Sequence, residues 1–354
     1  MSNPTSAQYT RGALFGLGAA CIWSGWIVVA RLGLRTSMTP WDIAALRFGI
    51  GGLLLLPYLW RKGVAIERLG WTGFAAIVVG CGAPMVLLVN AGLLFAPAVD
   101  AGALFSGVVP MMVALLAVAI LHEAFTSAKR AGLALILAGV IGIVWSAGGT
   151  IGTRQNIGHV LFLGGALLWA CYTVAMRRAR LDGLHAAAIA AVVTLVLYLP
   201  IYAAVAGASI FKAPLTDIAL QAFVQGVLTA VISLVLYGRA VSILGASGGA
   251  AFPALCPAMT AVLAIPILGE WPTAIDWIAI ILISAGVYVV SGGPLPRRPT
   301  LKAPPTKPRR VDDSLASCLR LAQRCVRCFA KARPRLEQQR TRGGAGASID
   351  TATF

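Results

Sequence analysis

Long apolar blocks separated by short charged loops make up residues 12 to 291. Each block is close to the roughly 20 residues that a helix needs to cross a bilayer. The blocks are continuously apolar rather than alternating, which predicts membrane helices and not barrel strands. We predict ten spans, at about 12–34, 42–60, 71–91, 98–121, 129–149, 158–178, 185–207, 217–238, 246–268 and 274–291.

The fourth and ninth predicted spans carry the same pattern. Val108–Thr126 and Leu255–Thr273 agree at nine of nineteen positions at a constant offset of 147, and Pro110 pairs with Pro257. A repeat of this length is too long for a solenoid unit. It indicates two duplicated halves.

Each half, residues 12–149 and 158–291, contains five predicted spans. Five is an odd number, so the two halves must insert with opposite orientation. Inverted repeats are typical of secondary transporters, whose substrate site lies near the membrane midplane between the halves. We therefore predict an all-α membrane protein with ten transmembrane helices in two inverted five-helix repeats.

Composition agrees with a membrane protein. Hydrophobic residues make up 58% of the chain and charged residues 12%, with a mean hydropathy of +0.84, whereas soluble domains carry about 25% charged residues. Much of the net charge of +17 lies in residues 292–354, which hold fourteen Lys or Arg and four Asp or Glu. The other positive charges lie in short loops, so nucleic-acid binding is not expected.

The segment 292–354 is rich in proline and arginine, and we predict a disordered cytoplasmic tail. An alternative is an amphipathic segment attracted to anionic lipid headgroups.

The distribution of Lys and Arg among the loops predicts the orientation. With the N-terminus inside, the inner segments before the tail carry ten Lys or Arg and the outer segments four. By the positive-inside rule both termini are cytoplasmic. The first apolar block is too long for a signal-peptide core. We predict a multi-pass protein of the cell membrane that retains its first helix.

Polar and aromatic residues within the spans are candidates to line a cavity between the halves. Tryptophan and tyrosine away from the interfacial belt could stack on a substrate or form a gate. Ordinary packing between helices is the alternative for any single residue. The substrate-binding candidates are Trp23, Trp26, Asn90, Ser106, Trp169, Tyr172, Thr173, Gln225 and Ser233.

Arg47 lies several residues inside the second span, where an ionisable group is costly and suggests a function. Asp42 and Asp100 are its expected partners near the same outer face. We predict a structural ion pair, and the alternative is direct binding of an anion. The matching region around Val193 and Thr194 has no charge.

Pro110 and Pro257 each remove a backbone hydrogen bond from a span. They are candidate hinges, and a packing kink is the alternative. Glu123 and Glu270 end the same two spans, at opposite membrane faces. We expect both glutamates to anchor the structure rather than to couple transport to protons.

Six short motifs follow one another along residues 12 to about 291. They are Trp23-Ser24-Gly25, Pro40 followed by Ala45-Leu46-Arg47-Phe48, Pro110 with Glu123, Trp169-Ala170-x-Tyr172-Thr173, Leu244-Gly245-Ala246-Ser247, and Pro257 with Leu268-Gly269-Glu270. In their order and spacing they resemble the EamA-type transporters of the drug/metabolite transporter superfamily. The resemblance implies a ten-helix exporter-like fold with a central cavity between the halves.

The expected function is export of small polar or amphipathic metabolites, such as amino acids, by alternating access. A sugar-phosphate or nucleotide-sugar carrier would need paired cations in the cavity. Arg47 is the only Lys or Arg well inside a predicted span. A drug carrier with a carboxylate in its first helix is disfavoured, because the first and sixth spans contain no acid. Transport direction, proton coupling and the choice between a monomer and a homodimer stay open.

We do not expect an enzyme, a cofactor or a metal site. His122, His159 and His185 fall at span ends, without an intramembrane nucleophile or metal constellation. Cys325 and Cys328 have no second pair at zinc spacing. No phosphate-binding loop is present, so ATP is not the expected energy source.

Overall fold

Every regular element is helical in the part of the chain that the computed structural model describes, residues 6–147, 154–206, 209–249 and 251–292. The tail predicted at 292–354 lies outside these residues beyond Gly292. The α-helices are α1 (Ser6–Thr36), α2 (Pro40–Lys62), α3 (Ile66–Cys81), α4 (Ala83–Gly92), α5 (Ala98–Ala101), α6 (Val109–Leu121), α7 (Ser127–Ser146), α8 (Arg154–Arg178), α9 (Gly183–Ala206), α10 (Leu215–Gln221), α11 (Ser233–Gly249), α12 (Cys256–Leu268) and α13 (Ala274–Val290). Gly102–Ser106 and Ala222–Ile232 are π-helical, and Ser209–Lys212 and Pro253–Leu255 form 3-10 turns.

Eight helical stretches among the described residues are long and apolar enough to cross a membrane. Two further apolar helices, Pro253–Leu268 and Ala274–Val290, are shorter and occupy the positions of the ninth and tenth predicted spans. The all-helical class is therefore confirmed, whereas the count of ten spans is not. The ninth position is short because Gly245, at φ 77° and ψ 169°, and the turn at Pro253–Leu255 interrupt the helix there.

The two halves break their fourth helix at matching points. Helices α6 and α12 each have thirteen residues and are related by the offset of 147 found in the sequence. A π-helical turn precedes α6 and a 3-10 turn precedes α12.

Side-chain caps fix where several helices begin. Thr39 and Asp42 form a capping box at the start of α2, and Thr273 and Asp276 form one at α13, as the Thr-x-x-Asp pattern at 273–276 indicates. At α7 the hydroxyl of Thr126 accepts from the backbone N–H of Lys129. These bonds satisfy N–H groups that have no partner within their own helix.

Helices of one half pack mainly against helices of the other half. The main contacts join α1 with α11, α2 with α9, α3 with α8, and α7 with α13. Small residues allow the close approach in the last pair, since a Cβ on Gly132 would lie 2.9 Å from the carbonyl oxygen of Gly286. The centre of the molecule is therefore an interface between the two halves.

Candidate functional site

Four aromatic rings connect the two halves at the centre of this interface. The ring centroids are 6.0 Å apart for Trp26 and Phe105, 6.4 Å for Phe105 and Trp169, and 5.2 Å for Trp169 and Tyr172. The first two contacts are edge-to-face, an arrangement that the ring quadrupoles favour. Trp26 and Phe105 come from the first half, and Trp169 and Tyr172 from the second. We call these four residues the aromatic cluster.

Arg47 lies beside the aromatic cluster. It is seven residues into α2, about 10 Å from the start of that helix, and is 6% exposed. Its guanidinium carbon lies 4.9 Å from the ring centroid of Trp26, a cation–π contact. The Nη1 atom of Arg47 is buried and has no hydrogen-bond partner.

The acids expected to pair with Arg47 bind other groups. Asp42 accepts from the backbone N–H of Thr39 at 2.8 Å and from the Tyr202 hydroxyl at 2.5 Å. Asp100 lies in the first turn of α5 and is bonded to residues of α8 instead. Among the described residues neither acid forms an ion pair with Arg47. Both carboxylates lie in the first turn of a helix; Asp42 binds a donor at the start of its own helix and one on α9, and Asp100 binds donors on α8.

A break in the third predicted span lies against α9. Helix α3 ends at Cys81, Gly82 is extended at φ −92° and ψ −157°, and α4 begins at Ala83. A Cβ on Gly82 would lie 2.4 Å from Oγ1 of Thr194, so this position excludes any side chain. The Oγ1 atom of Thr194 is buried and has no hydrogen-bond partner.

The remaining cavity candidates fall into two groups. Gln225 is fully buried and donates to the carbonyl oxygen of Trp26 at 3.3 Å, while its Oε1 has no hydrogen-bond partner. Asn90 is also fully buried, and neither atom of its amide has a partner. These two residues therefore keep unused hydrogen-bonding capacity in the interior.

The other candidates make contacts of different kinds. Trp23 contacts Tyr237, with ring centroids 5.0 Å apart. Thr173 and Ser233 donate to the carbonyl oxygens of Trp169 and Thr229 within their own helical stretches. Ser106 is half-buried at the end of a π-helical turn.

Both candidate hinge prolines lie in the first turn of a helix that follows an irregular turn. Pro110 is at the start of α6 and Pro257 at the start of α12. Proline is tolerated there because the first N–H groups of a helix have no partner within it. The regular α-helical hydrogen-bond pattern is thus already interrupted where a hinge would have to bend.

Glu270 joins the two halves at one end of the bundle. Its Oε1 accepts from Arg31 at 3.2 Å and from Arg35 at 2.6 Å, and its Oε2 accepts from the backbone N–H of Ala98 at 2.7 Å. Arg31 also donates to the carbonyl oxygen of Leu93. The carboxylate is 8% exposed. We call Glu270, Arg31, Arg35 and the Ala98 N–H the Glu270 network.

Glu123 joins the halves through a smaller group. It accepts from Lys129 at 3.0 Å and from Arg177, and its side chain is 30% exposed. The hydrogen bond from Lys129 is the largest cause and lowers the pKa of Glu123; burial opposes it by less, and Arg177 lowers the pKa further. We call these three residues the Glu123 network.

The two networks are counterparts under the repeat. Glu123 and Glu270 match at an offset of 147, and Arg31 and Arg177 match at the offset of 146 that also relates Trp23 to Trp169. In each network an arginine late in the first helix of one half binds the glutamate of the other half. The same alignment pairs Trp26 with Tyr172 and Phe105 with Phe252.

A buried group near the start of α8 was not expected from the sequence. His159 Nε2 lies 2.7 Å from Oδ2 of Asp100, and Gln155 donates to the same oxygen at 2.7 Å. The side chains of His159 and Asp100 are each 4% exposed. The sequence did contain a signal, since Gln155 and His159 are one helical turn apart and share a face.

The described residues contain no group of three or more His, Cys, Asp or Glu side chains that could hold a metal ion. A surface groove of about 450 Å³ lies between α2 and α4 and is lined mainly by apolar residues. It contains none of the cavity candidates. The lining residues are Thr39, Pro40, Trp41, Pro84, Leu87, Leu88, Ala91 and Leu94.

Comparison with known proteins places the fold in a family. A solved structure described only as the crystal structure of a protein has a TM-score of 0.54 to this chain at 21% identity, covering 79% of this chain and 96% of the other. That likeness concerns the fold alone. No curated protein matches the chain. The model of the EamA-like transporter family matches twice, over residues 10–145 and 156–292, so this multi-pass membrane protein belongs to the EamA-like transporter family.

Proposed function

We propose that the protein is a secondary transporter that exports small polar or amphipathic metabolites, such as amino acids, from the cell. Transport proceeds by alternating access to a central site between the two repeats. The protein lies in the cell membrane with both termini in the cytoplasm. Membership of a transporter family supports the class of activity.

The observation that carries this proposal is the aromatic cluster with the unused polar atoms around it. Burying a polar group without a partner costs about 1–3 kcal/mol. Arg47 Nη1 and Gln225 Oε1 are both in that condition, and both residues contact Trp26. A bound solute with polar and apolar parts would supply the missing partners while its apolar part contacts the rings. A central site for amphipathic solutes accounts for both features together.

The Glu123 and Glu270 networks support alternating access. Each one holds an end of the first repeat against an end of the second repeat. If the repeats are inverted, these ends face opposite sides of the membrane. Breaking one network while the other stays closed would open the central site to one side at a time.

Counterflow in liposomes tests this proposal. Purified protein is reconstituted in liposomes loaded with unlabelled L-phenylalanine or L-leucine, and uptake of the labelled amino acid is followed. We expect uptake above that of protein-free liposomes. Repeating the assay with an imposed pH gradient shows whether protons are coupled to transport.

A pair of tryptophan variants locates the route of the solute. Trp169 belongs to the aromatic cluster, while Trp145 is 69% exposed on the outer surface of α7. We expect Trp169→Ala to reduce counterflow at least about tenfold and Trp145→Ala to leave it near the wild-type rate. Equal rates for the two variants would contradict a central site.

A further inference from the structure

We propose that His159, Asp100 and Gln155 form a proton-binding site that controls the Glu270 end of the bundle. We call these three residues the His159 cluster. A proton taken up from water by Nδ1 of His159 holds this end closed, and its release allows the end to open. This inference rests on the proposed transport function, to which it adds a proton as a second ligand.

The first argument is the unused nitrogen of His159. Its Nε2 lies 2.7 Å from Oδ2 of Asp100, and Gln155 donates to the same oxygen at 2.7 Å. An ionised carboxylate only accepts hydrogen bonds, so Nε2 carries the hydrogen and Nδ1 of the neutral ring has a free lone pair. Nδ1 is buried without a hydrogen-bond partner, and the side chain is 4% exposed. This nitrogen is the position where a proton would bind.

The second argument is the effect of a proton on the contact between the two halves. Asp100 belongs to α5 of the first half, and His159 belongs to α8 of the second. A proton replaces the bond from a neutral ring to a carboxylate with a bond between opposite charges, which is stronger where water is excluded. Histidine and carboxylate side chains within membrane spans commonly serve as proton relays. Proton uptake should therefore hold α5 more firmly against α8.

The third argument is the short segment that joins the cluster to the Glu270 network. Helix α5 has four residues and contains both Asp100 and Ala98, whose backbone N–H donates to Glu270 at 2.7 Å. Leu93, whose carbonyl oxygen accepts from Arg31, lies five residues before Ala98. The segment from Leu93 to Asp100 thus contacts the Glu270 network and α8 together. A displacement of α5 from α8 would act on both groups.

The fourth argument is that the cluster belongs to one end only. The repeat alignment pairs His159 with Ala13 at the offset of 146 and Asp100 with Ser247 at the offset of 147. The other end therefore has an ionic network of the same kind, built on Glu123, but no counterpart of the histidine and the carboxylate in the sequence. The cluster makes one end sensitive to protons and leaves the other end insensitive.

The groups around the cluster leave histidine as the group that titrates near neutral pH. Helix α4 and the π-helical turn at Gly102–Ser106 carry no ionisable side chain, and α12 carries only the thiol of Cys256 at its first residue. Histidine is the side chain whose ordinary titration falls between about pH 5 and pH 8. The charged residues at this end of the other neighbouring elements are Arg154 on α8, Arg31 and Arg35 on α1, and Glu270 after α12.

Distances between spin labels on the full-length protein test the inference without any solute. With the native cysteines replaced, labels at Leu94 and Trp271 report on the Glu270 end, and both positions are exposed. We expect the fraction of molecules with the longer distance to rise at least about threefold between about pH 5.5 and about pH 8, where histidine loses its proton. A fraction that does not change with pH, or that rises towards acid, would overturn the proposal.

Substitutions assign the pH response to the cluster. His159→Gln keeps a donor for Asp100 but cannot take up a proton, so its label distances should not respond to pH over this range. Asp100→Asn removes the carboxylate and should weaken the response, and it serves as the test if His159→Gln does not fold. His122→Gln is the matched control, because His122 is an exposed histidine at the Glu123 end; it should respond as the wild type does. A response equal to that of the wild type in His159→Gln or Asp100→Asn would overturn the assignment.

Counterflow of L-phenylalanine at the same pH values separates this inference from the transport function. If the solute is exchanged while the label distances ignore pH, the proton site is wrong and the transport function stands. If the distances respond to pH through His159 but no solute is exchanged, the proton site stands and the transport function fails.

Discussion

The two glutamate networks occupy matching positions in the repeats, yet they differ in burial and in the number of partners. The Glu270 side chain is 8% exposed and accepts from two arginines and a backbone N–H, while the Glu123 side chain is 30% exposed and accepts from Lys129 and Arg177. Water screens an exposed ion pair, whereas a buried carboxylate depends on its protein partners. The Glu270 end is therefore held more firmly, and the Glu123 end should open first.

The comparison also shows how duplication supports an alternating mechanism. The arginine and glutamate positions were inherited by both repeats, so each end has a contact of the same kind. Later differences, such as Arg35 and the Ala98 N–H at one end, changed the relative strength of the two contacts.

The largest expected loss of stability comes from removing the charge of Glu270. Glu270→Gln leaves Arg31 without an anionic partner in a partly buried position, which should cost about 1–3 kcal/mol in free energy of unfolding. Thermal unfolding in detergent measures the change. Glu123→Gln is the matched control at the other end and should lower the unfolding temperature less. The reverse order would contradict the comparison.

The next largest expected effect is a difference in stability between variants of the two arginines that bind Glu270. The Arg31 side chain is 16% exposed and also donates to the Leu93 carbonyl oxygen, while that of Arg35 is 39% exposed. We expect Arg31→Gln to lower the unfolding temperature more than Arg35→Gln, because exposed pairs contribute about 0–1 kcal/mol. Equal shifts in the same assay would indicate that burial does not govern this network.

The prolines test whether motion at the two ends begins at the helix breaks. Pro110 begins the helix that leads to Glu123, and Pro257 begins the helix that leads to Glu270. We expect Pro110→Ala and Pro257→Ala to change the rate of counterflow several-fold with little change in unfolding temperature. An unchanged rate in both variants would show that the prolines are packing kinks and not hinges.

The smallest expected effect is a pH dependence of the stability that Glu123 contributes. Its pKa is lowered in the folded protein, first by the hydrogen bond from Lys129, so the stability that it contributes is present above its ordinary value of 4.5. That contribution is lost as pH falls through the lowered pKa. The difference in unfolding temperature between the wild type and Glu123→Gln should therefore shrink in acid. A difference that grows below pH 4.5 would contradict the sign of the shift.

Sequence reasoning worked where a signal is local or repeated. Apolar length predicted the helices, and the offset of 147 predicted that Pro110 and Pro257 match, which they do at the starts of α6 and α12. Several aromatic candidates do meet at the centre, because duplicated positions converge at the interface between the halves.

Partners far apart in sequence could not be predicted. Glu270 binds residues that precede it by 172 to 239 positions, and only helix packing decides which arginine reaches it. The ion pair expected for Arg47 did not form, because Asp42 and Asp100 bind donors at the starts of their own helices and on neighbouring helices. The break at Gly82 does have a local signal that the prediction of one continuous span at 71–91 missed, since Pro84 two residues later removes a helical N–H group.

Distances between spin labels at the two ends test the central account most directly. In a protein whose native cysteines are replaced, one pair of labels at Leu94 and Trp271 reports on the Glu270 end, and another at Phe125 and Arg178 reports on the Glu123 end. All four positions are exposed. Addition of a transported amino acid should lengthen one distance while it shortens the other. Two distances that stay fixed, or that lengthen together, would contradict alternating access between the two networks.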